Sequence, residues 1–230
     1  MQRTLYIIAT TSRSGSTHLC RMLTATRRLG EPAEYYNVRV RPERMKLWGA
    51  ASAAEYFQQL LERTSTPNGV CGIKVATTAF EHLRASLGPG FDLLRPKYIW
   101  LRRRDALRQA ISLYRAQTTD IWHWHAGAPR PHACPEFDAA RIEQCGREIA
   151  SANDYWRDWF AGDTTRVPLE LWYEDLIAAP HTAIERICKH TGVSDENLPA
   201  ATSELCVMRD EVTEQWVEHL ARRERRLTAR

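Results

Sequence analysis

The chain alternates short apolar runs with longer stretches whose apolar residues recur at helical spacing. Runs at 5–10, 70–76 and 97–101, with a fourth at 166–172, predict strands, because short apolar runs bounded by turn signals suit strands buried on both faces. Stretches at 17–26, 51–63, 105–117, 139–160, 180–191 and 211–226 predict helices. Strands separated by helices imply parallel βα units, hence an α/β fold with a central parallel sheet and flanking helices. Gly88-Pro89-Gly90 marks a turn before the third strand. Segment 118–135 carries Pro, Gly, His and Trp without a period and predicts a long surface loop, the kind of connection that often carries function. With no internal repeat or low-complexity segment, one domain over 1–230 is expected.

Composition narrows the class. The 230 residues are 43% hydrophobic and 26% charged with 11 Gly and 11 Pro, as in ordinary globular proteins. No apolar stretch approaches the ~18 residues of a membrane helix, so no membrane span is expected. The run at 5–10 is also too short for the apolar region of a signal peptide. Cys20, Cys71, Cys134, Cys145, Cys188 and Cys206 lack CxxC spacing and suit reduced thiols, which makes the cytoplasm the expected location. A formal charge of +4 is too slight to announce nucleic acid, and none is expected as a partner, but it permits a small anionic ligand.

Two strand–helix junctions carry anion-binding chemistry. The first strand runs into Thr11-Ser-Arg-Ser-Gly-Ser-Thr-His18 and then an apolar helical stripe. There Gly15 lets backbone approach a ligand, Ser14, Ser16 and Thr17 offer hydroxyls beside a helix N-terminus, and Arg13 adds a fork of donors. The ATP-type GxxxxGK[ST] loop is absent, since Thr10 stands for its first Gly and Ser16 for its Lys. The third strand ends in Leu101-Arg-Arg-Arg-Asp105, with Asp105 a natural N-cap. On the following helix Leu107, Ile111 and Tyr114 form the apolar side, and Arg104, Arg108, Ser112 and Arg115 an adjoining polar one. Two such junctions suit a ligand with two separated phosphate-like groups. A nucleotide-dependent phosphoryl transferase of kinase type and a nucleic-acid-binding module using the arginines of 102–108 and 222–226 are the rival readings.

These residues resemble a known family. Residues 11–19, TSRSGSTHL, are similar to the 5′-phosphosulfate loop of sulfotransferases that use 3′-phosphoadenosine 5′-phosphosulfate (PAPS). Residues 102–116, RRRDALRQAISLYRA, resemble their 3′-phosphate segment, and 169–176, LELWYEDL, a strand and turn of the superfamily. GEPAEYY at 30–36, PNGVCGIK at 67–74, 117–122 and QWVE at 215–218 resemble the bacterial trehalose 2-sulfotransferase-like branch. The resemblance implies a P-loop-like sulfotransferase architecture and an enzyme moving a sulfuryl group from PAPS to a hydroxyl of a carbohydrate, glycolipid or other small acceptor, without metal.

Residue by residue, it implies that Arg13, Ser14, Gly15, Ser16 and Thr17 hold the 5′-phosphosulfate. Ser112 would hold the 3′-phosphate with Arg103 or Arg104: superfamily spacing selects Arg104, the narrower branch Arg103. Arg209 is a further candidate for the donor. Glu34 matches the general base of the branch, with Glu31 the near alternative as an acceptor-binding group. Lys74, ending the second strand, is placed to reach the same end of the sheet as the first loop and to stabilise the leaving bisphosphate's bridging oxygen. After it, Val75-Ala-Thr-Thr78 departs from the branch, which expects bulkier residues, and leaves the acceptor open. Trp122 and Trp124, in Asp120-Ile-Trp-His-Trp-His125, are candidates for an acceptor wall. His123, His125, His132 and Cys134 match no standard metal spacing. The helix segment 155–160 is read as core-facing, and exposed loop aromatics leave room for a homodimer.

Overall fold

The computed structural model describes residues 3–129, 133–206, 208 and 210–228. Among them β1 (Thr4–Thr10), β2 (Val70–Val75), β3 (Lys97–Arg102) and β4 (Pro168–Trp172) form one parallel sheet in the order β2-β1-β3-β4. These are the four apolar runs read from the sequence, with ends shifted by one or two residues. In register, Ile8 of β1 faces Lys74 of β2 and Ile99 of β3. Because all pairs are parallel, the strands deliver their following loops to one end of the sheet.

The helices are α1 (Ser16–Ala25), α2 (Arg41–Trp48), α3 (Ala53–Thr64), α4 (Thr77–Leu87), α5 (Gly90–Leu93), α6 (Ala106–Thr119), α7 (Ala139–Ala161), α8 (Tyr173–Ala178), α9 (Pro180–Thr191) and α10 (Glu211–Thr228). Six match the sequence expectation; α2, α4, α5 and α8 do not appear in it. α2 buries no residue and α4 only Phe80 and Leu83, so neither writes a clear apolar stripe. The expected turn at Gly88-Pro89-Gly90 is the junction where α4 stops and α5 begins. The YEDL turn is the short helix α8.

Side chains alternate across the sheet. Leu5, Ile7 and Ala9 pack with Phe57 of α3, Phe80 of α4 and Trp156 of α7. Tyr6 and Ile8 face Leu19 of α1, Leu176 of α8 and Ile184 of α9. The 155–160 segment is core-facing as expected, with Trp156 fully buried. A third cluster contains no strand residue: Ile111 and Tyr114 of α6, Ile142 and Cys145 of α7, and Trp216 of α10. It stands beside the strand ends, where Gln109 Nε2 of α6 donates to Thr11 Oγ1 at 2.9 Å and to Ser12 O at 2.7 Å. The loop predicted over 118–135 begins two residues later, because α6 runs to Thr119, and its described residues 120–129 and 133–135 form no helix or strand. It lies against 204–206 through Ala126 N–H to Glu204 O (2.7 Å) and Cys206 N–H to Trp124 O (2.9 Å).

Candidate active site

The turn from β1 into α1 is shaped to leave donors open. Gly15 sits at φ +86°, and a Cβ on it would stand 2.2 Å from Cδ2 of Tyr173, so this position needs glycine both for its backbone and for the ring laid over it. α1 has no side-chain cap and no acidic residue in its first turn, which leaves its N-terminal N–H groups and positive dipole end for an anion. Ser14 is fully buried and shares a 2.5 Å hydrogen bond with Thr10 Oγ1, so its hydroxyl braces the loop from within. Trp156 Nε1–H donates to Thr10 O at 3.1 Å and fixes the strand end. Ser16 is buried and Thr17 half-buried.

A nucleotide-binding P-loop would carry a lysine right after Gly15; here the cation comes from the neighbouring strand. Ala33 forms an isolated parallel bridge to Ile73, and Lys74 N–H donates to Ala33 O at 3.0 Å, which brings 33–34 alongside the end of β2. Lys74 lies on the face of β2 shared with Val70, toward α1, and is only 5% exposed. Its Nζ donates to Thr17 Oγ1 at 2.9 Å and stands 2.9 Å from Glu34 Oε1. Asn37 Nδ2 donates to the other Glu34 oxygen at 3.0 Å. Burial pushes the Glu34 carboxyl up, but the Lys74 ammonium and the hydrogen bonds from Lys74 and Asn37 outweigh it and hold the group below its usual range. Glu31 is exposed and stays outside this contact, held only through its backbone to Thr64 O and Tyr35 Oη.

The arginines sort sharply. Arg13, itself at φ +62°, donates through Nε to Ser112 Oγ at 2.9 Å, through Nη1 to Trp122 O, and through Nη2 to Met208 Sδ at 3.4 Å. Arg103 Nη1 donates to Arg13 O at 3.2 Å, and its guanidinium lies 5.0 Å from the Tyr173 ring centroid. Desolvation, then the charge of Arg103, pushes Arg13 down to about 10. Arg104 turns the other way, into a two-pronged pair with Asp175 at 2.6 and 2.8 Å. Of the expected polar side of α6, Arg108 holds Asp105 and Glu214, and Arg115 holds Asp210 at 2.6 and 2.8 Å. The stripe therefore clamps α10, and only Ser112 of that side meets the first loop. Leu107, expected in the apolar side, is 37% exposed; Ala110, Ile111, Leu113 and Tyr114 form the buried face.

In the loop above, Trp122 packs against the third cluster and its Nε1–H donates to Asp120, while Trp124 Nε1–H donates to Ala128 O. Desolvation, then Arg13 and Lys74, push the His123 imidazole down to about 4 while Glu34 pulls it up, which puts a neutral ring on the Lys74–Glu34 side of this loop. Among the described residues no group of three or more His, Cys, Asp or Glu is placed to hold a metal ion. Arg209 and His132 lie outside the described residues. Sequence reasoning missed Gln109 and Asn37 altogether and weighed His123 only against metal spacing; Tyr173 was visible in LELWYEDL, but its place over Gly15 was not.

A family model described as Stf0 sulphotransferase matches residues 5–224. The chain belongs to the Stf0 sulphotransferase family. As a sulfotransferase it is 30% identical over 195 residues to the trehalose 2-sulfotransferase of Mycobacterium tuberculosis (strain ATCC 35801 / TMC 107 / Erdman), covering 68% of this chain and 72% of that protein. It is 26% identical to the trehalose 2-sulfotransferase of Mycolicibacterium smegmatis over 260 aligned residues, 95% of each chain. Among solved structures, the sulfotransferase from Alicyclobacillus acidocaldarius superposes with a TM-score of 0.54 at 15% identity, over 96% of this chain and 94% of that one. The sulfotransferase domain from the curacin biosynthetic pathway gives 0.51 at 16%, over 96% and 99%. At these identities the likeness shows the fold, which is the α/β sulfotransferase architecture expected from the sequence.

Proposed function

We propose that this enzyme, as a single domain, moves a sulfuryl group from PAPS to a hydroxyl of a carbohydrate-like acceptor, with Glu34 as general base. The observation that carries the reading is Lys74 Nζ, 2.9 Å from both Thr17 Oγ1 of the donor loop and Glu34 Oε1. One buried ammonium thus links the place where negative charge leaves to the carboxylate that takes a proton.

The donor supplies the sulfuryl group, and the residues present suit it. Two guanidiniums, Arg13 and Arg103, stand close enough for one to depress the other, and an anion between them removes that repulsion. Arg103 and Ser112 would hold the 3′-phosphate, while Arg13, the Gly15 backbone, Ser16 and Thr17 would hold the 5′-phosphosulfate. Arg104, paired with Asp175, is left with a structural role.

In the transfer, the acceptor oxygen forms a bond to sulfur as the bond from sulfur to the bridging phosphate oxygen breaks. The electron pair stays on the phosphate, and the acceptor proton passes to Glu34. Lys74 serves both ends: drawn toward the leaving oxygen, it neutralises the charge developing there. The same movement frees the Glu34 carboxylate from its counter-ion and makes it a stronger base when a base is needed.

The acceptor class rests on the two trehalose 2-sulfotransferase relatives. A cytoplasmic location is supported by six free cysteines. No helix among the described residues is long and apolar enough to cross a membrane. Calorimetry with 3′-phosphoadenosine 5′-phosphate tests the donor site. Binding with a dissociation constant on the order of micromolar is expected, and no heat at high micromolar concentration overturns the assignment.

A further inference from the structure

α7 connects the sheet to the helices beside its strand ends. Near its C-terminus, Trp156 is tied to Thr10 O at the end of β1. Nearer its N-terminus, a Cβ on Gly146 would stand 3.8 Å from Ala110 Cβ, next to Gln109, which bonds the donor loop at Thr11 and Ser12. Between these points lie ~15 Å of helix. Between this stretch and the start of α4 lies a cleft of about 560 Å³ lined by Thr77, Gln144, Arg147, Glu148, Ser151 and Tyr155. Thr77 follows Lys74 by three residues, so this wall of the cleft lies within ~11 Å of the Lys74 backbone.

Size and chemistry both point to a small polar ligand. The volume falls in the ~300–1,000 Å³ range of small-molecule sites. The six residues named offer an amide, a guanidinium, a carboxylate, hydroxyls and one aromatic ring, with no large aliphatic side chain among them. Arg147 is exposed and makes no ion pair or hydrogen bond among the described residues, so its five N–H donors stay open. Glu148 takes the amides of Gln144 (3.1 Å) and Gln117 (3.4 Å), one on each oxygen, and keeps lone pairs for a further donor. Adjacent donors and acceptors match vicinal hydroxyls, each of which both gives and takes a hydrogen bond. By contrast, the indole N–H groups of Trp122 and Trp124 are taken up within their own loop, and the Trp122 ring packs in the third cluster.

Resting on the sulfotransferase reading above, we propose that the cleft between the start of α4 and the middle of α7 holds the remote part of a polyhydroxylated acceptor, with Arg147 and Glu148 bonding its outer hydroxyls while the reacting hydroxyl reaches Glu34. This assigns acceptor selection to side chains of α7.

Arg147→Ala and Ser151→Trp test it, both at exposed helix positions where neither change disturbs the core. Transfer of labelled sulfate from PAPS is followed with trehalose, maltose and sucrose as probes, and binding of the bisphosphate is measured on the same samples. The expected result is a rise of ~tenfold or more in KM for the sugar in Arg147→Ala and loss of transfer in Ser151→Trp, both with bisphosphate affinity within about twofold of wild type. Wild-type KM and kcat in both variants overturn the cleft assignment. A wild type that binds the bisphosphate but sulfates none of the three sugars overturns it too. Failure of the wild type to bind the bisphosphate overturns the donor reading instead, so the two failures are told apart.

Discussion

Arg103 and Arg104 are neighbours in sequence and opposites in space. Side chains leaving a strand alternate in direction, so one arginine goes to the donor loop and Tyr173, and the other to Asp175. Spacing within the chain could not choose between them, because the choice depends on where Asp175 of α8 lies, and that is set by packing. Arg103→Ala should weaken bisphosphate binding by ~tenfold or more and Arg104→Ala by less than about threefold, read by calorimetry; equal losses would overturn the division of roles. The Lys74–Glu34 contact was beyond local pattern for a similar reason: 40 positions separate the two residues, and the bridge of Ala33 to Ile73 joins them. Its ionisation is testable. Glu34 is held below the ordinary carboxylate range, so it stays ionised as pH falls through 4.5, and the acid limb of kcat/KM, which reports the free enzyme, should lie below that value. In Lys74→Ala burial acts without its counterweight, the carboxyl pKa rises, and the limb should move to higher pH. A limb that stays in place would show that Lys74 does not set the charge of Glu34.

At the scale of elements, the strands were legible because continuous apolar runs buried on both faces need no partner to be recognised. α6 was legible as a helix with Arg104, Arg108, Ser112 and Arg115 on one polar side, but the partners of that side were not legible. Its arginines point outward as the periodicity says, yet Arg108 and Arg115 meet Glu214 and Asp210 at the start of α10, a segment ~100 residues away in sequence. Asp210 also caps α10, accepting from Thr213 N–H at 3.1 Å and Thr213 Oγ1 at 2.9 Å, and its carboxyl is held far below the usual range, first by the Arg115 hydrogen bonds. With its arginines taken up in this way, α6 offers no continuous basic face to a nucleic acid. Arg115→Ala should lower stability by about 2 kcal/mol in denaturant unfolding, since it removes charged hydrogen bonds from a half-buried site. Unchanged stability would mean that the clamp contributes nothing. α2 was invisible for the converse reason: it buries no side chain and is held by Arg41 and Arg44 lying over Tyr36 and Tyr35, contacts that leave no apolar period.

For the whole molecule, parallel strand order gathers residues 13–17, 34, 74, 103 and 112 at one end of the sheet, which is where open α/β sheets bind ligands. The slight net charge of +4 hides this gathering, because many other cations are neutralised locally by acids. On the function proposed above, this end of the sheet transfers a sulfuryl group with Glu34 taking the proton. This is tested most directly by following labelled sulfate from PAPS to trehalose in wild type and Glu34→Gln, with bisphosphate binding measured on the same samples. Transfer by the wild type is expected, with a loss of ~100-fold or more in kcat for the variant and donor affinity unchanged. Undiminished transfer by Glu34→Gln would contradict it.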